Sequence, residues 1–189
     1  MRVLGFTGMP GSGKSEAMSV AKARGYPVVR MGDLIWEEVA RRGLERTPEN
    51  VGAVANGMRE SEGKDVWALR TVERIRATPG AVVMIDGIRS NHEVDVFRRE
   101  LADDFLLVAI HTDPDERHDR LTARGRDDDA SSVEGHRERD DRELNWGIAR
   151  TIALADEMLV NDGALESFHA ATARLLDRVE SAEKLQPKL

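Results

Sequence analysis

Eight residues near the start, Gly8-Met9-Pro10-Gly11-Ser12-Gly13-Lys14-Ser15, constrain this chain more than any other segment. They follow the apolar stretch Val3-Leu4-Gly5-Phe6-Thr7 and precede a helical pattern, which is the strand, loop and helix context of a phosphate-binding loop. Glycine lets the backbone wrap closely around a phosphate with its N–H groups turned inward, and the helix behind adds the positive end of its dipole. Lys14 then neutralises the β- and γ-phosphates, and the Ser15 hydroxyl ligates the Mg²⁺ that bridges them. The segment predicts binding of a nucleoside triphosphate with Mg²⁺.

Strands and helices alternate along the rest of the chain. The first strand, about Arg2 to Thr7, leads through the loop to a helix from Lys14 to about Arg24 that Gly25 stops. Val28 to Met31 reads as a second strand, and a helix from about Asp33 to Arg42 ends at Gly43. Thr47 caps the next helix with Pro48 at its first position, and Gly63 separates it from another running to about Ala77. Ala81 to Asp86 is nearly all apolar and ends on a carboxylate, as expected of a central parallel strand. Ser90 and Glu93 form a capping box for a helix to about Leu101, and Phe105 to Ile110 is a fourth strand. Asp113, Pro114 and Glu116 begin a further helix, and the polar stretch Gly125 to Ser132 reads as an exposed excursion followed by polar helix to about Trp146. Met158 to Val160 is a fifth strand, and an amphipathic helix from about Leu165 to Val179 precedes a polar tail. This order predicts an α/β fold: a parallel five-stranded sheet with helices on both faces and a small lid insert, its ligands beyond the carboxyl ends of the strands.

With 189 residues, 40% of them hydrophobic, the chain suits one α/β domain over 1–189, with a lid at about 120–142 and a polar tail at about 183–189. A net charge of −7 leaves no whole-molecule basic field for nucleic acid, so basic residues must act locally. Cysteine is absent, which removes disulfides and thiolate metal sites. Residues 1 to 7 enter the first strand without signal-peptide architecture, and no apolar run approaches a membrane span, so the expected location is cytoplasmic, with no membrane partner.

Asp33, Asp86 and Asp113 each fall at or shortly after a strand end. Asp33 and Asp113 are also candidate helix caps. Asp86, closing Val82 to Ile85 in a chain with a phosphate loop, is expected to orient Mg²⁺ through water. Gly87-Ile88-Arg89 follows it, where many ATP-hydrolysing machines place a water-activating glutamate. No Asn-Lys-x-Asp guanine-reading sequence occurs, which disfavours a GTPase switch. Arg89 suggests a second anionic group near the γ-phosphate. His92, His111, His118, His136 and His169 have no ligand spacing and read as surface or packing residues, and Asp127-Asp128-Asp129 reads as a solvated lid tip.

The strings GMPGSGKS, MGDLI from Met31, MIDGIRS from Met84, DRLTARGR from Asp119 and LADEMLVNDG from Leu154 resemble the nucleotide and nucleoside kinase branch of the phosphate-loop (P-loop NTPase) fold. The last is similar to dephospho-coenzyme A kinase, whereas Met31-Gly32-Asp33 and Asp86-Gly87 are similar to adenylate kinase. The combination most resembles an archaeal family of uncharacterised kinase-like proteins placed between those two enzymes. The resemblance implies that Arg120 and Arg124 hold the donor's phosphates, with Arg124 spreading transition-state charge, while Arg137 or Arg139 approaches from the far side. Those first two arginines lie four apart on one helix face, with Arg126 just beyond. Adenylate kinase binds its acceptor phosphate through an arginine where this chain has Trp36, which cannot pair a phosphate and either packs in the core, the expected position, or stacks on a base. In dephospho-coenzyme A kinase the acceptor is a ribose hydroxyl, for which Asp33 is a suitable base. Arg59 and Arg89 are then candidate clamps for acceptor anions. The implied activity is transfer of the ATP γ-phosphate to a nucleotide-like acceptor, dephospho-coenzyme A or an analogue. The alternatives are a nucleoside monophosphate kinase and a non-catalytic nucleotide sensor or slow ATPase.

Overall fold

A computed structural model describes residues 1–124 and 132–181. Five parallel strands run in the order β2-β3-β1-β4-β5: β1 (Arg2–Thr7), β2 (Val28–Arg30), β3 (Val82–Asp86), β4 (Phe105–His111) and β5 (Glu157–Val160). The central strand, β1, is buried from Val3 to Thr7, which accounts for its unbroken apolar run. Alternate residues feed two cores. Val3, Val83, Ile85 and Leu107 meet α4 (Val66–Ala77) and α5 (Asn91–Leu101) on one face. On the other, Leu4, Phe6, Met84 and Val108 meet α1 (Lys14–Ala23) and α9 (Leu165–Ser181). Each such side chain taken fully out of water contributes about 1.5–3 kcal/mol.

Local signals act where the sequence places them. Thr47 accepts from the Asn50 N–H at the start of α3 (Pro48–Glu62), and the Ser90–Glu93 capping box opens α5 with both reciprocal bonds present. Of the two candidate caps, Asp113 accepts from the Asp115 N–H at 2.9 Å before α6 (Pro114–Arg124). Asp33 caps nothing. The helix α2 (Met31–Arg41) starts two residues before the expected position, because Arg30 still pairs with Asp86 in the sheet and the chain turns directly from strand into helix. That puts the Asp33 carboxylate in the first turn, where the helix dipole favours a negative charge.

The rear of α2 is fixed by Glu38, only 3% exposed, which accepts from Arg41, Arg42 and Arg70. Those guanidiniums, with Arg41 first, hold its carboxyl well below the usual carboxylate range and tie α2 to α4. After α7 (Val133–Asn145), Gly147 in the left-handed region allows a sharp turn into α8 (Ile148–Ala153), a short helix that the polar pattern did not reveal. Arg126, the triplet Asp127-Asp128-Asp129 and the tail from 183 lie outside the described residues. Among the described residues, no helix is long and apolar enough to cross a membrane.

Candidate functional site

Strand register assembles the site. Arg30 of β2, Asp86 of β3 and Phe6 of β1 stand side by side at the carboxyl ends of three neighbouring strands, so Asp86 flanks the residue two before Gly8. A cleft of about 900 Å³ opens there. Its floor is the loop from Gly8 to Ser15. Asp86 and Arg89 line one wall, Gly32, Asp33 and Trp36 continue it, and Arg120, Arg124, Arg139 and Glu143 face in from α6 and α7.

The loop is held open by bonds from distant residues. The Ser12 carbonyl accepts from the Thr112 hydroxyl at 3.0 Å and from the Asn161 side-chain amide at 2.9 Å. Arg117, buried, donates to the Pro10 carbonyl at 3.0 Å and pairs with Asp140 of α7 at 2.7 Å. Gly13 has φ 104°, and a Cβ there would strike the Asn161 amide, so both conformation and space require glycine. Thr112, Arg117, Asn161 and Glu143 were not legible as site residues. Their roles depend on contacts 23 to 149 positions away in sequence or on the direction in which α7 faces.

Lys14 turns back on its own loop, donating to the Gly8 and Met9 carbonyls at 2.5 and 3.0 Å. Burial lowers its pKa from 10.5 to about 8, and the Arg89 and Arg139 charges act in the same direction while Asp86 and Glu143 oppose it. An anionic ligand on the loop would supply the negative charge that this position otherwise receives only in part. The Ser12 hydroxyl is buried without a partner among the described residues, the orphaned polar atom expected in a nest that takes anionic oxygens. The donor set also fits Mg²⁺: Ser15 is exposed in the cleft, Asp86 lines it, and among the described residues no cluster of three or more acidic or histidine side chains forms a cage. Such an ion takes its remaining oxygens from phosphate and water.

The expected site residues divide into groups. Gly8, Pro10, Gly11, Ser12, Gly13, Lys14, Ser15, Asp33, Asp86, Arg89, Arg120 and Arg124 come together around the cleft, whereas Met9 is not among the lining residues. Arg120 is tethered to the Asn161 carbonyl at 2.9 Å and to Glu116 at 3.2 Å, and Arg89 pairs with Glu143. Arg139 lines the cleft and Arg137 does not. Arg59 is also outside the lining, half-buried on α3 and donating to Asn56 at 3.2 Å, with its charge acting on Glu93 beside Arg89. Trp36 departs from the expected core position: it belongs to neither core and lies half-buried in the cleft wall. His136 is buried and stacks on His118, consistent with packing.

Comparison with known proteins agrees with this architecture. Residues 7–135 match the family model described as an AAA domain. A UPF0200 protein of Methanosarcina barkeri is 43% identical over 176 residues, covering 93% of this chain and 95% of its own length. Another, from Thermococcus kodakarensis, is 45% identical over 178 residues, covering 93% and 96%. Among solved structures, TT1252 from Thermus thermophilus matches with a TM-score of 0.64 over 94% of this chain and 97% of that one, at 19% identity, a likeness of fold.

Proposed function

For a chain that belongs to the UPF0200 family and holds an AAA domain, we propose an ATP-dependent phosphotransferase that moves the γ-phosphate to a nucleotide-like acceptor, with dephospho-coenzyme A or an analogue leading. The observation that carries this reading is the continuity of the cleft. One space runs from the phosphate loop past Asp86 to Gly32, Asp33 and Trp36, so a donor on the loop and an acceptor against α2 share it. A site that only sensed a triphosphate needs no second compartment ending on a carboxylate.

In this reading the loop amides and the Lys14 ammonium hold the β- and γ-phosphates. Arg124 at the end of α6, with Arg139 of α7, lines the side where charge develops during transfer. Bound Mg²⁺, held by Ser15 and by Asp86 through water, would supply charge neutralisation across the phosphates. Asp33 takes the proton from the acceptor hydroxyl as its oxygen bonds to the γ-phosphorus, while the bond from that phosphorus to the β-phosphate oxygen breaks and ADP leaves. Arg89 meets an anionic group of the acceptor after giving up Glu143. The nucleoside monophosphate kinase reading needs no base but needs arginines for the acceptor phosphate.

The test is transfer from γ-labelled ATP to a panel of nucleosides, monophosphates and dephospho-coenzyme A. Labelled product from dephospho-coenzyme A supports the leading reading, and labelled diphosphate supports the alternative. Inorganic phosphate as the sole labelled product overturns both.

A further inference from the structure

Trp36, at the acceptor end of the cleft, carries a pairing with a residue outside the cleft lining that the phosphotransferase reading does not use. Trp36 stands one helical turn after Asp33, so the two share a face of α2, and both line the cleft. Trp67 shows what a structural tryptophan looks like here: it is 1% exposed and donates to the Ala55 carbonyl. Trp36 is half-buried, outside both cores, and nothing among the described residues accepts from its indole N–H. Arg46, from the loop between α2 and α3, lays its guanidinium over the Trp36 ring at 3.1 Å from the centroid. Other arginines at this end are committed, Arg30 to Asp86 and Arg89 to Glu143. Among the described residues no carboxylate pairs with Arg46.

Gly32 adds an independent observation. Its φ lies outside the left-handed region, and a Cβ there would meet no atom within 4 Å, so neither conformation nor packing requires glycine. It nevertheless lines the cleft beside Asp33, leaving open space.

We propose that Trp36 and Arg46 form the recognition platform for the acceptor: a planar base stacks on the cleft side of the indole, whose other face Arg46 covers, and an anionic substituent on the same molecule is met by Arg46 at the ring's edge. The acceptor class is therefore a base-bearing anion, a nucleotide. The guanidinium that cannot come from position 36 reaches the acceptor from ten residues later. This inference rests on the phosphotransferase reading of the same cleft.

Three probes separate its parts in protein whose donor half is saturated with Mg²⁺-ADP: AMP carries base and anion, adenosine the base alone, and ribose 5-phosphate the anion alone. AMP is expected to quench tryptophan fluorescence and to bind more tightly than either fragment. Trp36→Leu should abolish that quenching and weaken AMP and adenosine by roughly five- to a hundredfold, the range of base–aromatic stacking, whereas Trp36→Phe retains most affinity. Arg46→Ala should weaken AMP about tenfold without affecting adenosine, since a hydrogen bond to a charged group is lost. Gly32→Ala, which improves helix propensity, should raise the Tm while weakening all three probes. Wild-type affinity for AMP in Trp36→Leu or Arg46→Ala overturns the platform, as does failure of AMP to bind the wild type. ATP affinity, measured in parallel, is expected to be unchanged in every variant. Loss of ATP binding in the wild type would instead count against the phosphotransferase reading.

Discussion

The side-chain amide of Asn161, just after β5, donates to the Ser12 carbonyl at 2.9 Å and so fixes the phosphate loop from 149 residues away. Asn161 is buried, and its own carbonyl accepts from Arg120 and Thr112. Asn161→Ala removes the amide donor, leaving Ser12 only Thr112. We expect a stability loss of about 1–3 kcal/mol and weaker ATP binding, read by thermal unfolding and calorimetry. Unchanged ATP affinity would reduce Asn161 to a fold-stabilising residue.

Lys14→Ala leaves the β- and γ-phosphates to backbone amides alone. Transfer should fall by at least about 10²-fold in a protein that still folds. Near-normal turnover and ATP affinity in that variant would defeat the phosphate-loop assignment.

The lowered pKa of Lys14 has a signed consequence. Between about 8 and 10.5 the unfolded chain binds more protons at this residue than the folded one does, so its contribution to stability rises with pH across that window. Phosphate binding needs the ammonium and moves the other way. The Kd for ATP should rise as pH passes about 8, by up to about tenfold per unit, and Lys14→Arg should flatten the profile because a guanidinium does not titrate there. Parallel profiles for the two proteins would assign the pH dependence to another group.

If Asp86 orients the Mg²⁺ shell, Asp86→Asn should raise the Mg²⁺ needed for half-maximal turnover by about 10- to 100-fold while preserving most of the fold. An unchanged Mg²⁺ titration and rate would make it a turn residue and the partner of Arg30 only.

Asp33 separates the two kinase readings. A hydroxyl acceptor needs its proton removed, and a positioned carboxylate contributes roughly 10² to 10⁴ in rate. Asp33→Asn should therefore cut the single-turnover rate at saturating acceptor, with little change in ATP affinity. Equal rates would eliminate the base role and favour the monophosphate kinase reading.

The sequence by itself determined what depends on neighbours along the chain. A phosphate loop is one continuous segment whose glycines, lysine and serine each act through local backbone geometry, so Gly8 to Ser15 could be read directly. The same holds for the Thr47 cap, the Ser90–Glu93 capping box and the apolar run into Asp86. Tertiary structure decided which side chains share the cleft. Strand order put Arg30 beside Asp86, and β5 brought Asn161 under Ser12. The direction in which α2 faces placed Trp36 in the cleft wall, and the packing of α3 left Arg59 out of the cleft lining. A tryptophan in a helix has the same local pattern whether it fills a core or faces a ligand, because the difference lies in what packs opposite it.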